Sequence, residues 1–98
     1  ITPLNNLGIQ KPIDIHAYPN PGYHKVFIEF HLTTASFLTL SIINNTGQEI
    51  AVLNKGVMES GKQLLTWNIT GIPSGIYFLQ MNIGNEIFTE PLILSPQN

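Results

Sequence analysis

The chain has 98 residues, enough for one domain, with 43% hydrophobic and only 10% charged residues, where about 25% charge is usual. Its four basic residues are all lysines and its net charge is −2, which excludes the dense basic face that nucleic acid demands and the polybasic patch that holds proteins on anionic lipid. Cysteine is absent, so a disulfide scaffold, a thiolate zinc site and a cysteine nucleophile are excluded.

Residues Ile1 to Pro12 read as a linker, because Pro3, Asn5-Asn6, Gly8 and Pro12 break any regular period. With no methionine, basic n-region or apolar h-region at its start, the chain reads as a piece of a longer precursor. From residue 13 to 98 one folded domain is expected. Ile13 to Tyr18 alternates apolar and polar, as a half-buried strand does, and Pro19-Asn20-Pro21-Gly22 stops it. Lys25 to Leu32 alternates again, with Val26, Ile28, Phe30 and Leu32 on one face. Phe37 to Ile43 puts Leu38, Leu40 and Ile42 on one face, and Asn44-Asn45-Thr46-Gly47 is a hairpin turn. Gln48 to Asn54 returns, and Gly56 and Gly61 bracket a further turn region. Lys62 to Ile69 carries Leu65, Trp67 and Ile69 on one face, and Gly71 to Gly75 is a corner. Ile76 to Ile83 sets Tyr77, Leu79 and Met81 against Ile76 and Phe78, and Gly84-Asn85 suits a tight hairpin. Glu86 to Leu94 closes the series, with Pro91 confining it to an edge.

Seven short strands at roughly ten-residue spacing, with no amphipathic helix, predict an all-β fold: a seven-stranded immunoglobulin-like antiparallel β-sandwich without a disulfide. Its expected core is Val26, Ile28, Phe30, Leu38, Leu40, Ile42, Trp67, Tyr77, Leu79 and alternate residues of the last strand. Lys25, Lys62, Glu90 and Pro91 are candidate guards of open strand edges. An unguarded edge would let two copies pair weakly.

Catalytic constellations are lacking. His16 and His31 occupy polar positions on adjacent expected strands and could approach each other, but no H-x-x-x-H spacing marks a metal site. The six acidic residues are scattered over different strands and turns, which suits solvation better than acid–base pairing. No serine lies in a G-x-S-x-G elbow and no phosphate-binding glycine loop is present. Trp67 alternates with leucines and reads as core rather than as a sugar platform. No enzyme, cofactor or metal is expected.

Five pieces occur in order: Pro19-Asn20-Pro21; Leu38 to Asn44; Gly47-Gln48-Glu49-Ile50; Gly61 to Asn68; and Ile72-Pro73-Ser74-Gly75-Ile76-Tyr77-Phe78-Leu79. From Ile13 to about Ser95 this resembles the C-terminal sorting domain of the type IX secretion system of Bacteroidota, in its larger (type A) variety. The resemblance implies a seven-stranded sandwich that sits behind a secreted cargo and directs it through the outer-membrane translocon. It implies periplasmic transit, delivery to the cell surface or medium, and removal by a sortase-like cysteine protease, with the cleavage region in the linker 1–12. It also implies recognition residues: Pro19, Asn20, Pro21, Gly47, Ser74, Gly75, Tyr77, Leu92, Ile93 and Leu94, with an exposed last strand available to extend a partner's sheet. The chain departs from the family at Gly22, where a residue such as Phe often stands, at Asn68, where Asp is usual, and at Glu90-Pro91, where Lys commonly precedes the aliphatic run. The tail Ser95 to Asn98 has the short polar character of a true C-terminus. The competing expectation is a structural, adhesive or glycan-binding sandwich retained in a secreted multidomain protein; a weaker likeness to the flagellar hook-cap sandwich runs through Gly61, Trp67, Gly75 and Tyr77.

Overall fold

The computed structural model describes residues 14–96; the linker expected over 1–12 lies outside them. Seven strands follow one another: β1 (His16–Tyr18), β2 (Lys25–Leu32), β3 (Ser36–Asn44), β4 (Glu49–Met58), β5 (Gly61–Asn68), β6 (Gly75–Ile83) and β7 (Glu86–Leu94). They form two antiparallel sheets, one ordered β1-β2-β5 and the other β4-β3-β6-β7. The expected sandwich is therefore observed.

Period-two alternation decides which side chains meet. Val26, Ile28, Phe30 and Leu32 from one sheet face Leu38, Leu40, Ile42, Tyr77, Leu79, Met81, Leu92 and Leu94 from the other, with Ile15, Trp67 and Ile69 completing the core. Every residue expected in the core is buried. Full burial of each Leu, Ile or Phe contributes about 1.5–3 kcal/mol of transfer free energy, so these alternating rows dominate folding.

Strand β4 is longer than its sequence suggests. It runs through Met58, and Glu59-Ser60 makes the turn before Gly61 opens β5. Its pairing with β3 shifts register between Leu40 and Ser41 and again between Ile42 and Ile43. Each shift inserts a residue, which brings Asn54 opposite Leu40 and lets Lys55 to Met58 continue along Thr39 to Ser36. The Asn54 carboxamide donates to the carbonyls of Leu38, at 3.1 Å, and Gly56, at 3.3 Å. Gly56, expected to open a turn region, lies within the irregular ladder instead. Of the strand expected over residues 13–18, Ile13 lies outside the described residues, Asp14 and Ile15 precede the strand, and β1 covers His16 to Tyr18.

The edges are β1, β5, β4 and β7. Lys62 lies on edge strand β5, and Glu90 and Pro91 lie on edge strand β7, as expected of guards. Lys25 does not guard an edge: it sits on β2, which is flanked by β1 and β5. Lys62 Nζ lies 2.8 Å from Glu29 Oε2, and the Tyr18 hydroxyl donates to Glu29 Oε1 at 3.1 Å. Lys62, then Tyr18, hold the Glu29 carboxyl below its ordinary value, and the bond to Glu29 raises Lys62. This solvated cross-strand cluster holds charge in water and contributes little to stability.

Candidate functional site

The β1–β2 connection turns back over the end of β7. Both Tyr18-Pro19 and Asn20-Pro21 are cis peptides, and the loop delivers Gly22 beside Leu94 in an isolated parallel bridge. Three hydrogen bonds join them. The Ile93 amide donates to Asn20 Oδ1 at 3.1 Å. The Gly22 amide donates to the Ile93 carbonyl at 2.9 Å, and the Ser95 amide donates to the Gly22 carbonyl at 2.7 Å. Residues 20–22 thus clasp the last strand along the edge that faces away from β6.

Gly22 is buried, and a Cβ built there would lie 2.6 Å from Val26 Cγ2, with Ile69 and Leu94 each 3.5 Å away. The space between the loop and the core admits only glycine without rearrangement. Gly22 is therefore fitted to this chain's own packing.

The β3–β4 turn is built on Asn44. Its Oδ1 accepts from the Thr46 amide at 3.0 Å, the Thr46 hydroxyl at 2.7 Å and the Gln48 amide at 2.9 Å. The backbone closes with Gly47 N–H to Asn44 O at 3.0 Å, and Gly47 has φ 89°, a region costly for any side chain. Asn44 sits opposite Tyr77 in the ladder, and Tyr77 sits opposite Leu92.

Tyr77 buries its ring and donates its hydroxyl to the Pro73 carbonyl at 2.6 Å. This is the tyrosine-corner arrangement of sandwiches, a hydroxyl returning to the backbone a few residues upstream. The bond pins the β5–β6 connection that carries Ser74. Tyr77→Phe should cost about 1–2 kcal/mol by leaving that carbonyl without its donor. Thermal unfolding would read this as a fall of about 4–8 °C per kcal/mol for a domain of this size; an unchanged midpoint would show that the corner holds without the bond.

The ten residues singled out in the sequence thus gather at one pole of the sandwich, where β3, β5 and β7 end and β4 and β6 begin. Their side chains differ in availability. Leu92 and Leu94 are 0% and 1% exposed and Tyr77 is 6% exposed, so all three are core; Ile93, between the leucines, is 47% exposed. Pro19, Asn20, Pro21, Gly47, Ser74 and Gly75 are at the surface. Gly75 lies opposite Leu94, with φ 154°. Sequence reasoning missed the roles of Gly22 and Asn44. A glycine directly after a proline turn and an asparagine opening an N-N-T-G turn were the available signals.

The last strand is less open than expected. At Ile93 to Ser95 its outward backbone groups are already bonded to residues 20–22. Backbone groups of alternate residues point the same way, so the missing N–H of Pro91 falls on this same outer side. Sheet extension by a partner is therefore blocked along the C-terminal half of β7.

His16 pairs in register with Glu29 and lies 3.1 Å from Asp14 Oδ2, whereas His31 pairs with Lys62. No group of three His, Asp or Glu side chains able to hold a metal occurs among the described residues. An open groove at the opposite pole, lined by Leu32, Thr33, Thr34, Phe37, Ile83 and Glu86, includes a single titratable group. A clasped last strand, two hydrogen-bonded turns and an exposed isoleucine stand together at this pole.

No curated protein matches the chain. The family model described as the secretion system C-terminal sorting domain matches residues 16–95, a span that runs from β1 to the end of the clasp and includes each of the ten residues at this pole. The chain belongs to the C-terminal sorting domain family of the type IX secretion system, a non-catalytic signal family whose members mark a protein for export to the cell surface or the medium.

Proposed function

We propose that this domain carries a folded cargo, attached N-terminally, to the outer-membrane type IX translocon, and that the pole bearing Pro19 to Pro21, Gly47, Ser74 to Tyr77 and Leu92 to Leu94 is what the translocon recognises. The observation that supports this reading is convergence. Sequence pieces far apart in the chain meet at one end of the sandwich, tied by the Asn20 carboxamide and the Gly22 amide to the last strand. Residues such as Asn44 and Asn20 spend their side chains on holding that pole in shape. The domain itself performs no catalysis. Cargo passes through the periplasm, and a sortase-like cysteine protease then cuts within the linker over residues 1–12.

The test fuses residues 1–98 to the end of a periplasmically exported fluorescent protein in a Bacteroidota host. Reporter outside the cell is expected in the wild type and not in a translocon-deficient strain, lighter than the fusion by no more than the 10.9 kDa of the chain. Translocon-dependent export at full mass would retain the sorting role and remove the proteolytic step. Reporter trapped in the periplasm of both strains, with the domain folded, would refute the sorting role.

A further inference from the structure

The outer face of the four-stranded sheet carries an apolar patch at the same pole. Because Tyr77, Leu79, Leu92 and Leu94 point into the core, their neighbours Ile76, Phe78, Pro91 and Ile93 point out. Ile43, Phe78 and Pro91 form one cross-strand row, and Ile76 and Ile93 form the next. Ile76 is 55% and Ile93 47% exposed. Beyond the first row, the next row on this face runs Val52, Ser41, Gln80, Thr89, with Val52 half exposed and Ser41 buried, so it is uncharged and mixed in polarity. Glu49, opposite Ile43, is the charge at the margin.

Where the chain leaves the sandwich decides what can reach this patch. β1 runs antiparallel to β2, with His16 opposite Glu29, and Asp14 shares a shallow depression with His31 and Lys62 near the far end of β2. The described chain therefore enters the sandwich at the pole opposite the clasp. With a cargo attached N-terminally, as proposed above, the patch lies at the other end of the domain from that attachment. At the far end of the same face, Phe37, Val57 and Ile87 are also exposed, but they lie at the pole where the described chain enters. Asn82 and Lys55 interrupt them: the row runs Lys55, Thr39, Asn82, Ile87.

We infer that the docking surface is the outward apolar patch of Ile43, Ile76, Phe78, Pro91 and Ile93, and that its occupant is an apolar, uncharged protein surface of the translocon, bound on the side away from the cargo. This rests on the reading of the domain as a translocon-docking signal. In the run Leu92-Ile93-Leu94 the leucines hold the strand to the core, and Ile93 is the side chain the partner touches. An apolar partner surface follows from the five side chains of the patch, none of which carries a charge, so that a charge set against its centre, away from Glu49 at the margin, would be left desolvated.

The experiment compares two double variants of the reporter fusion, both at exposed positions on the same sheet face: Ile76→Lys/Ile93→Lys at the clasp pole and the somewhat more exposed Phe37→Lys/Ile87→Lys at the opposite pole. Secreted reporter should fall at least about tenfold for the first and stay within about twofold for the second, as expected if central apolar contacts each carry more than 1 kcal/mol of the binding. Thermal unfolding of each purified domain establishes that it folds. If the lysine pair at the clasp pole unfolds, Ile76→Thr/Ile93→Thr, which keeps β-branched residues in both strands, takes its place with the same direction of effect. Equal export of the two pole variants, or a larger loss from the opposite-pole pair, would overturn the assignment. So would a wild-type domain that sediments as a dimer and a clasp-pole variant that sediments as a monomer while still being exported, since a second copy would then be the occupant. An unmodified fusion that is not exported in a translocon-dependent way is a different result, and it removes the sorting reading itself.

Discussion

Leu92→Ala is expected to lower the free energy of unfolding by about 2–5 kcal/mol, the range for truncating a fully buried leucine where the cavity cannot collapse. Leu92 is 0% exposed and lies opposite Tyr77. It therefore closes the core just beneath the tyrosine corner. Ile93→Ala, one residue along, should stay within about 0.5 kcal/mol, as exposed substitutions usually do. Denaturant unfolding with a common slope reads both. The contrast matters for function, because Leu92→Ala would impair export by loosening the domain, whereas Ile93→Ala would impair it with the domain intact. Equal losses of stability at the two positions would mean that β7 does not sit in this register.

The second large effect is expected at Gly22. Alanine there puts a methyl group 2.6 Å from Val26 Cγ2. Val26 cannot swing aside, since it is fully buried and β-branched residues have little freedom at χ1. Gly22→Ala should therefore cost about 1–3 kcal/mol, the range for overpacking a filled core. The same shift would pull the Gly22 amide and carbonyl off Ile93 and Ser95, so the end of β7 should lose amide protection before the rest of the sheet. Val26→Ala removes the offending methyl groups. In the double variant the two costs should combine to less than their sum, by about 0.5–3 kcal/mol, the usual coupling for residues in contact. Simple additivity would show that the loop accommodates a side chain by moving as a unit.

Much of the fold was legible because it depends on local alternation. Val26, Ile28, Phe30 and Leu32 alternate with polar or partly exposed neighbours, and a strand has only two faces, so their burial follows from the pattern. Tyr77 pinning a corner and Gly47 taking a positive φ were legible too, since both are short-range effects. Other features had no local signature. β4 and β5 are separated by two residues yet belong to different sheets, and the two register shifts that lengthen β4 depend on what β3 offers opposite. Lys25 read as an edge guard because nothing in its neighbourhood reveals that β2 is flanked on both sides. His16 and His31 occupy polar positions of adjacent segments, but register places one against Glu29 and the other against Lys62.

By itself the sequence determined seven strands, the buried side of the regularly alternating ones such as β2, β3 and β6, and the ordered motifs that carry family membership, because each of these is written in the spacing of neighbouring residues. Only the tertiary structure decided which strands pair, that residues 20–22 clasp the last strand, and that this clasp lies at the pole opposite Asp14. The clasp turns on hydrogen bonds between residues more than seventy positions apart, such as the Ile93 amide donating to the Asn20 carboxamide oxygen and the Gly22 amide donating to the Ile93 carbonyl. A bond of that kind forms only once the two sheets have closed on a common core.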